Sequence, residues 1–187
     1  LEPLISRAAF LTAGIVVSKK KMSLPKNQLI LDAPVVFKGT GGGDDWQPEN
    51  FSKHYLGEIT LRKALAVSQN IPAVRLIEML GAQSTIHFAH RLGIESTLKP
   101  NLALALGTSE VTLMNLVAAY GVFPRKGKWV DPFAVSEVTD LKGRVVWRSK
   151  PLKRLVMSRE GAAIMTNMLE AVVREGTGRS AQNLPVP

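Results

Sequence analysis

Apolar residues recur at helical spacing in several stretches of this chain, separated by polar or glycine punctuation. Leu61, Ala64, Leu65 and Val67 fall on one face of a helix that Thr60 caps. Ser68-Gln-Asn70 interrupts the pattern, and Pro72 opens a second helix from its favoured place in the first turn. Val74, Ile77, Met79 and Leu80 point inward there, and Gly81 closes it. A short third helix runs from Ser84 to Leu92 and ends at Gly93. Ser109 caps another, with Val111, Met114, Leu116, Val117, Ala118 and Tyr120 packed inside. Ser158 opens the last helix, whose broad face carries Ala162, Ile164, Met165, Met168, Leu169, Val172 and Val173, and Gly176-Thr-Gly178 stops it.

Strand signals are fewer. Phe133–Thr139 and Arg144–Trp147 flank Asp140-Leu-Lys-Gly143 as the only predicted hairpin, too small to stand as an independent sheet. Leu29–Phe37 is an apolar run split by Pro34, an edge segment or a loop pressed against the body. Ala8–Val17 reads as a buried helix or strand, ended by Lys19–Lys21 and Pro25, and Gly39–Asp45 reads as a flexible or turn-like loop. With no repeat and no long linker, the pattern predicts one helix-rich mixed domain of the α+β class.

Composition narrows the chemistry. The chain has 187 residues, 45% of them hydrophobic, which excludes a disordered chain and gives one domain or one domain and part of another. The absence of cysteine removes disulfides and thiolate chemistry. His54, His87 and His90 have no carboxylate at ligand spacing, so no metal is expected. The glycines at 41–43 meet Asp44 where a phosphate-binding loop needs glycine or Lys-Ser/Thr, so no nucleotide cofactor is expected. The net charge is +9, densest between Arg125 and Arg159. Those charges are spread over loops and a hairpin without interleaved aromatics, so they read as a solvated basic face, with no nucleic-acid partner. Ala8–Val17 is broken by Thr12 and Gly14 and falls short of the roughly 20 residues a membrane span needs. No span or targeting segment is expected within the chain, and its ends at Leu1 and Pro187 suggest a fragment.

The most informative point is Ser68-Gln69-Asn70, at the break between two helices. A hydroxyl there can relay a proton, and an amide two residues on can hold a substrate carbonyl or a catalytic lysine. Taken alone, S-x-N is most often a turn or a cap.

Its context is more specific. Trp46-Gln-Pro-Glu-Asn50, Tyr55-Leu-Gly57, Leu61-Arg-Lys-Ala-Leu65 and Ser68-Gln-Asn70 resemble, in order, the transpeptidase domain of class A penicillin-binding proteins. The resemblance continues through Leu104-Ala-Leu-Gly107, Glu110-Val-Thr-Leu-Met114, Ala118-Ala-Tyr120 and Gly176-Thr-Gly178, and covers residues 29–187. It leaves 1–28 as an unassigned, divergent or misread segment. The implied fold is an incomplete serine-transpeptidase domain, similar to the β-lactamases, comprising the helix-rich part and a small antiparallel hairpin.

The resemblance also implies the chemistry. In this family a serine attacks the D-Ala-D-Ala end of a peptidoglycan stem peptide, an acyl-enzyme forms, and a neighbouring amine takes the acyl group. β-Lactams trap the same serine. The parent protein is then membrane-anchored and works on the extracytoplasmic face, in the periplasm. Ser68 is implied as the proton-relay hydroxyl and Asn70 as the substrate-orienting amide. The family's S-x-x-K belongs near Ala9, where the sequence reads Ser6-Arg-Ala-Ala-Phe-Leu-Thr12. That spacing occurs instead at Ser18–Lys21, Ser23–Lys26 and Ser96–Lys99, without the flanking Gly and Pro, and K-T-G does not occur. The fragment alone is therefore expected to show little activity. Two other readings stand beside this one, a non-catalytic docking relative and a basic anion-binding module.

Overall fold

The computed structural model describes residues 28–39 and 44–184. The expectations for 1–27, including Ala8–Val17 and the Ser18 and Ser23 candidates, lie outside the described residues, as do Gly41–Gly43.

Strand β1 (Leu29–Asp32) pairs antiparallel with β2 (Gly57–Thr60), setting Leu29 opposite Thr60 and Asp32 opposite Gly57. The chain turns directly from β2 into helix α1 (Leu61–Ala66), then α2 (Asn70–Leu80) and α3 (Ala82–Arg91). A 3-10 turn (Leu102–Leu106) and α4 (Leu113–Tyr120) follow. Short strands β3 (Lys128–Val130), β4 (Glu137–Thr139), β5 (Val145–Arg148) and β6 (Lys153–Leu155) lead to α5 (Arg159–Glu175) and a closing 3-10 turn (Arg179–Asn183). Hairpin β4–β5 is nested inside the β3–β6 pair. The core lies in the helical part, where Ile71, Val74, Ile77, Leu92, Leu104, Val122, Phe123 and Met165 are buried.

The helix starts follow their caps. Thr60 Oγ1 accepts from the Lys63 amide and Ser158 Oγ from the Gly161 amide, as their positions in the sequence predict. Gly81 ends α2 with φ +83. Four expectations need correction. Thr112, not Ser109, caps α4, and the Ser109 hydroxyl accepts from the Lys99 amide instead. Met114 and Val117 on α4, and Met79 on α2, are exposed rather than inward-facing. Spacing identifies an apolar stripe but not how wide a stripe the body covers, and α4 buries Leu116, Ala118 and Ala119 while Leu113, Met114 and Val117 stay exposed. The third helix starts at Ala82, straight after Gly81, rather than at Ser84. The single expected hairpin is one of three two-stranded antiparallel pairs among the described residues.

Tyr120, at the end of α4, packs edge-on against Phe123, and burial pushes its phenol well above the ordinary range. The unfolded phenol ionises first, so the raised value stabilises the fold fully below about pH 10 and loses roughly 1.4 kcal/mol per pH unit above it. Urea unfolding between pH 9 and pH 11 is expected to show that fall, and Tyr120→Phe to flatten it. An equal slope in both proteins would show that Tyr120 is not its source.

Candidate functional site

Ser68 and Asn70 sit on the two sides of the α1–α2 junction. Helix α1 ends in a left-handed terminator: the Ser68 amide donates to the Leu65 carbonyl (3.1 Å) and the Gln69 amide to the Ala64 carbonyl (3.0 Å), with Ser68 at φ +60. That position is ordinarily glycine, because a Cβ in left-handed backbone costs roughly 1–2 kcal/mol. Ser68 therefore holds a strained place, and its side chain is half-buried rather than sealed off.

Asn70 is the first residue of α2. Its Nδ2 donates to the Glu49 carbonyl at 2.7 Å, which ties the helix start to the Trp46–Asn50 segment. Asn50 lies beneath it, 1% exposed, and every hydrogen-bonding position of its amide is used. Its Oδ1 accepts from the Asn70 amide at 2.9 Å and from the Ile71 amide at 3.2 Å. Its Nδ2 donates to Asp32 Oδ1 at 2.7 Å and to the His54 carbonyl at 2.9 Å. Asp32 is fully buried, and its Oδ2 accepts from the Leu56 amide at 2.9 Å.

The far side of the junction is held by the end of α5. The Thr177 amide donates to the Ala66 carbonyl at 3.0 Å, and Arg62 pairs with Glu175. A Cβ on Gly176 would fall well inside contact distance of that Ala66 carbonyl oxygen, so the two backbones meet where only glycine fits. The junction carrying Ser68 and Asn70 is thus clamped by the 46–50 segment on one side and by Gly176-Thr-Gly178 on the other.

Other sequence candidates lie apart from this junction or have local roles. Lys38 and Asp45 pair across the ends of the glycine loop, where Phe37 bridges Trp46. His90 Nδ1 shares a hydrogen bond with the Ile94 carbonyl at 2.7 Å, closing the turn after α3. Among the described residues no group of three or more His, Cys, Asp or Glu side chains is placed to hold a metal ion. Within the basic region, Arg144 pairs with Asp140 and Arg148 with Glu137 on the β4–β5 hairpin, and Arg154 lies over the Trp129 ring, 4.4 Å from its centroid. Ser96 and Lys99 line an open polar depression with Thr108, Ser109 and Glu110, in the loops on either side of the 3-10 turn at 102–106. The residues that sequence reasoning missed are Asp32 and Asn50. Their only trace in the sequence is Asn50 at the end of the Trp46–Asn50 motif, and apart from the nearby His54 carbonyl its partners are 18 to 21 positions away.

Residues 12–186 match the family described as penicillin-binding protein transpeptidase domain, and the chain belongs to that family. Penicillin-binding protein 1A from Aquifex aeolicus is similar, 39% identical over 142 residues, covering 76% of this chain and 19% of the relative. The protein of the same name from Neisseria lactamica is 34% identical over 163 residues, covering 83% and 20%. The chain spans about a fifth of the length of these curated relatives. The solved penicillin-binding protein 1A of Haemophilus influenzae superposes with a TM-score of 0.82 over 96% of this chain and 32% of its own, at 24% identity. PonA1 of Mycobacterium tuberculosis, solved in complex with penicillin V, superposes at 0.73 over 90% and 47%, at 18% identity. The fold is therefore that of penicillin-binding transpeptidase domains, of which this chain carries a part, and the family match begins at residue 12. Among the described residues, no helix is long and apolar enough to cross a membrane.

Proposed function

We propose that this chain is the part of a peptidoglycan D,D-transpeptidase that supplies the proton relay and the substrate-orienting amide. In the whole protein an acyl-serine forms on the D-Ala-D-Ala end of one stem peptide and passes to the amine of another. Ser68 Oγ relays the proton between the nucleophile and the leaving or attacking amine, and Asn70 orients the substrate amide. The site faces the periplasm or cell exterior, and β-lactams are its covalent inhibitors.

The observation that carries this reading is Ser68 itself. A helix terminator that glycine would satisfy without strain is occupied by a serine, φ +60, two residues from an amide anchored at the next helix start. Strain kept at a half-exposed hydroxyl is expected where the hydroxyl has work to do. The test is covalent capture: the full-length protein containing this segment is incubated with a fluorescent penicillin and run on a denaturing gel. A labelled band that unlabelled penicillin competes away is expected. No band from a folded full-length protein would favour the non-catalytic relative.

A further inference from the structure

Helix α2 has no cap of its own. Gln69 precedes it without a side-chain hydrogen bond to the helix. The first four amide positions of a helix lack intrahelical partners, and here three different solutions cover them. The Gln69 amide is taken by the Ala64 carbonyl, and Pro72 has no amide hydrogen to satisfy. The remaining two, on Asn70 and Ile71, both go to the single oxygen Oδ1 of Asn50. The cap is thus delivered from 20 residues upstream, by a side chain held at its other end by the buried Asp32 carboxylate.

We infer that Asn50 is a positioning residue for the transpeptidation site: its amide, oriented by Asp32, sets where Ser68 and Asn70 sit. This rests on the reading of Ser68 as relay and Asn70 as orienting amide. Asn70 donates both contacts between the segments, its backbone amide to Asn50 Oδ1 and its side-chain Nδ2 to the Glu49 carbonyl. Together they fix both the backbone and the side chain of Asn70. Asn50 uses two donors and two acceptors at once, and no other side chain of its size offers both pairs. Aspartate would keep the cap but lose the donors and place a second acid against Asp32 in a dry site. An Asn50→Asp/Asp32→Asn exchange restores the contact between the two positions and the acceptor for Leu56, but sets a carboxylate oxygen against the His54 carbonyl and leaves one hydrogen of the amide at position 32 without its partner, so the recovery is partial.

The experiment measures penicillin acylation per folded molecule in the full-length protein, with the melting temperature, for Asn50→Ala, Asn50→Asp, the exchange variant, Ser68→Ala and Asn70→Ala. Phe123→Leu, in the core outside this hydrogen-bonded node, controls for general destabilisation. Asn50→Ala is expected to slow acylation roughly 10- to 100-fold, the scale of an ångström-sized misplacement. Asn50→Asp is expected to be at least as slow, and the exchange variant to recover about threefold or more, as coupled neighbours do. Phe123→Leu is expected to lower the melting temperature while leaving the rate per folded molecule unchanged. If Asn50→Ala acylates within about twofold of wild type while Ser68→Ala and Asn70→Ala are slow, the positioning role is overturned and the site reading survives. Where Asn50→Ala does not fold, an exchange variant no faster than Asn50→Asp overturns it equally. If Ser68→Ala and Asn70→Ala are themselves as fast as wild type, the site reading fails and this role fails with it.

Discussion

A Gly176→Ala protein is expected to be less stable than wild type by about 3 kcal/mol, the upper part of the range for overpacking a close contact. The clash is between two main chains: the new Cβ meets the carbonyl carbon and oxygen of Ala66, so no side-chain rotation relieves it. The backbone of Gly176 is extended, φ −115, and an alanine there carries no torsional strain. The larger part of the effect therefore measures the approach of α5 to α1, and a smaller part the Val172 carbonyl oxygen of α5 itself, 2.9 Å from the new Cβ. Relief requires the two helix ends to separate, which stretches the Thr177-to-Ala66 hydrogen bond and disturbs the partly buried Arg62–Glu175 pair. Ser68 follows Ala66 by two residues, so the acylation rate per folded molecule is expected to fall as well. Urea midpoints and labelling rates check both. A wild-type midpoint would mean that the end of α5 does not rest on α1 in solution.

That contact was visible in the sequence only as a helix stop. Gly176-Thr-Gly178 ends an apolar stripe and predicts where α5 finishes, but nothing local says that the first glycine is needed for what passes in front of it. The elements that were legible carry their own boundary chemistry: Thr60 before α1, Gly81 after α2 and Ser158 before α5 each act within three or four residues. The β1–β2 and β3–β6 pairs were not legible. Their strands are three or four residues long, too short for alternation to register, and their paired residues lie 23 to 31 positions apart in the chain. α4 was misplaced at its start because Ser109 and Thr112 are both plausible caps, and only the fold gives the Ser109 hydroxyl another donor, the Lys99 amide.

The candidate site divides in the same way. Ser68 and Asn70 could be proposed because S-x-N stands at a predicted helix break among motifs that resemble the family's, and that resemblance is what implies their roles. Asn50 could not, because its role depends on three segments converging: β1 through Asp32, the 54–56 segment before β2, and the start of α2. A side chain with four partners on three segments leaves no periodic trace. Its burial is what reveals it, since Asp32, Asn50 and Thr85 are the buried polar residues among those described.

A Ser68→Gly protein is expected to gain stability and lose function together. Glycine enters left-handed backbone without the Cβ penalty, so the terminator of α1 becomes more favourable by about 1 kcal/mol, less what the more flexible unfolded chain takes back. Both terminator hydrogen bonds, from the Ser68 and Gln69 amides, are main-chain bonds and survive the substitution. Removal of the hydroxyl nevertheless takes away the proton relay, and acylation of the full-length protein by penicillin is expected to slow by roughly 10²- to 10⁴-fold. Ser68→Ala separates the two effects: it loses the hydroxyl but keeps a Cβ at φ +60, so its rate should fall equally while its midpoint does not rise. A serine that merely finishes a turn would give the opposite pattern, with Ser68→Gly both more stable and as fast as wild type. Opposite movement of the urea midpoint and the acylation rate in one variant is thus a signature that destabilisation cannot imitate, because loss of folding lowers both.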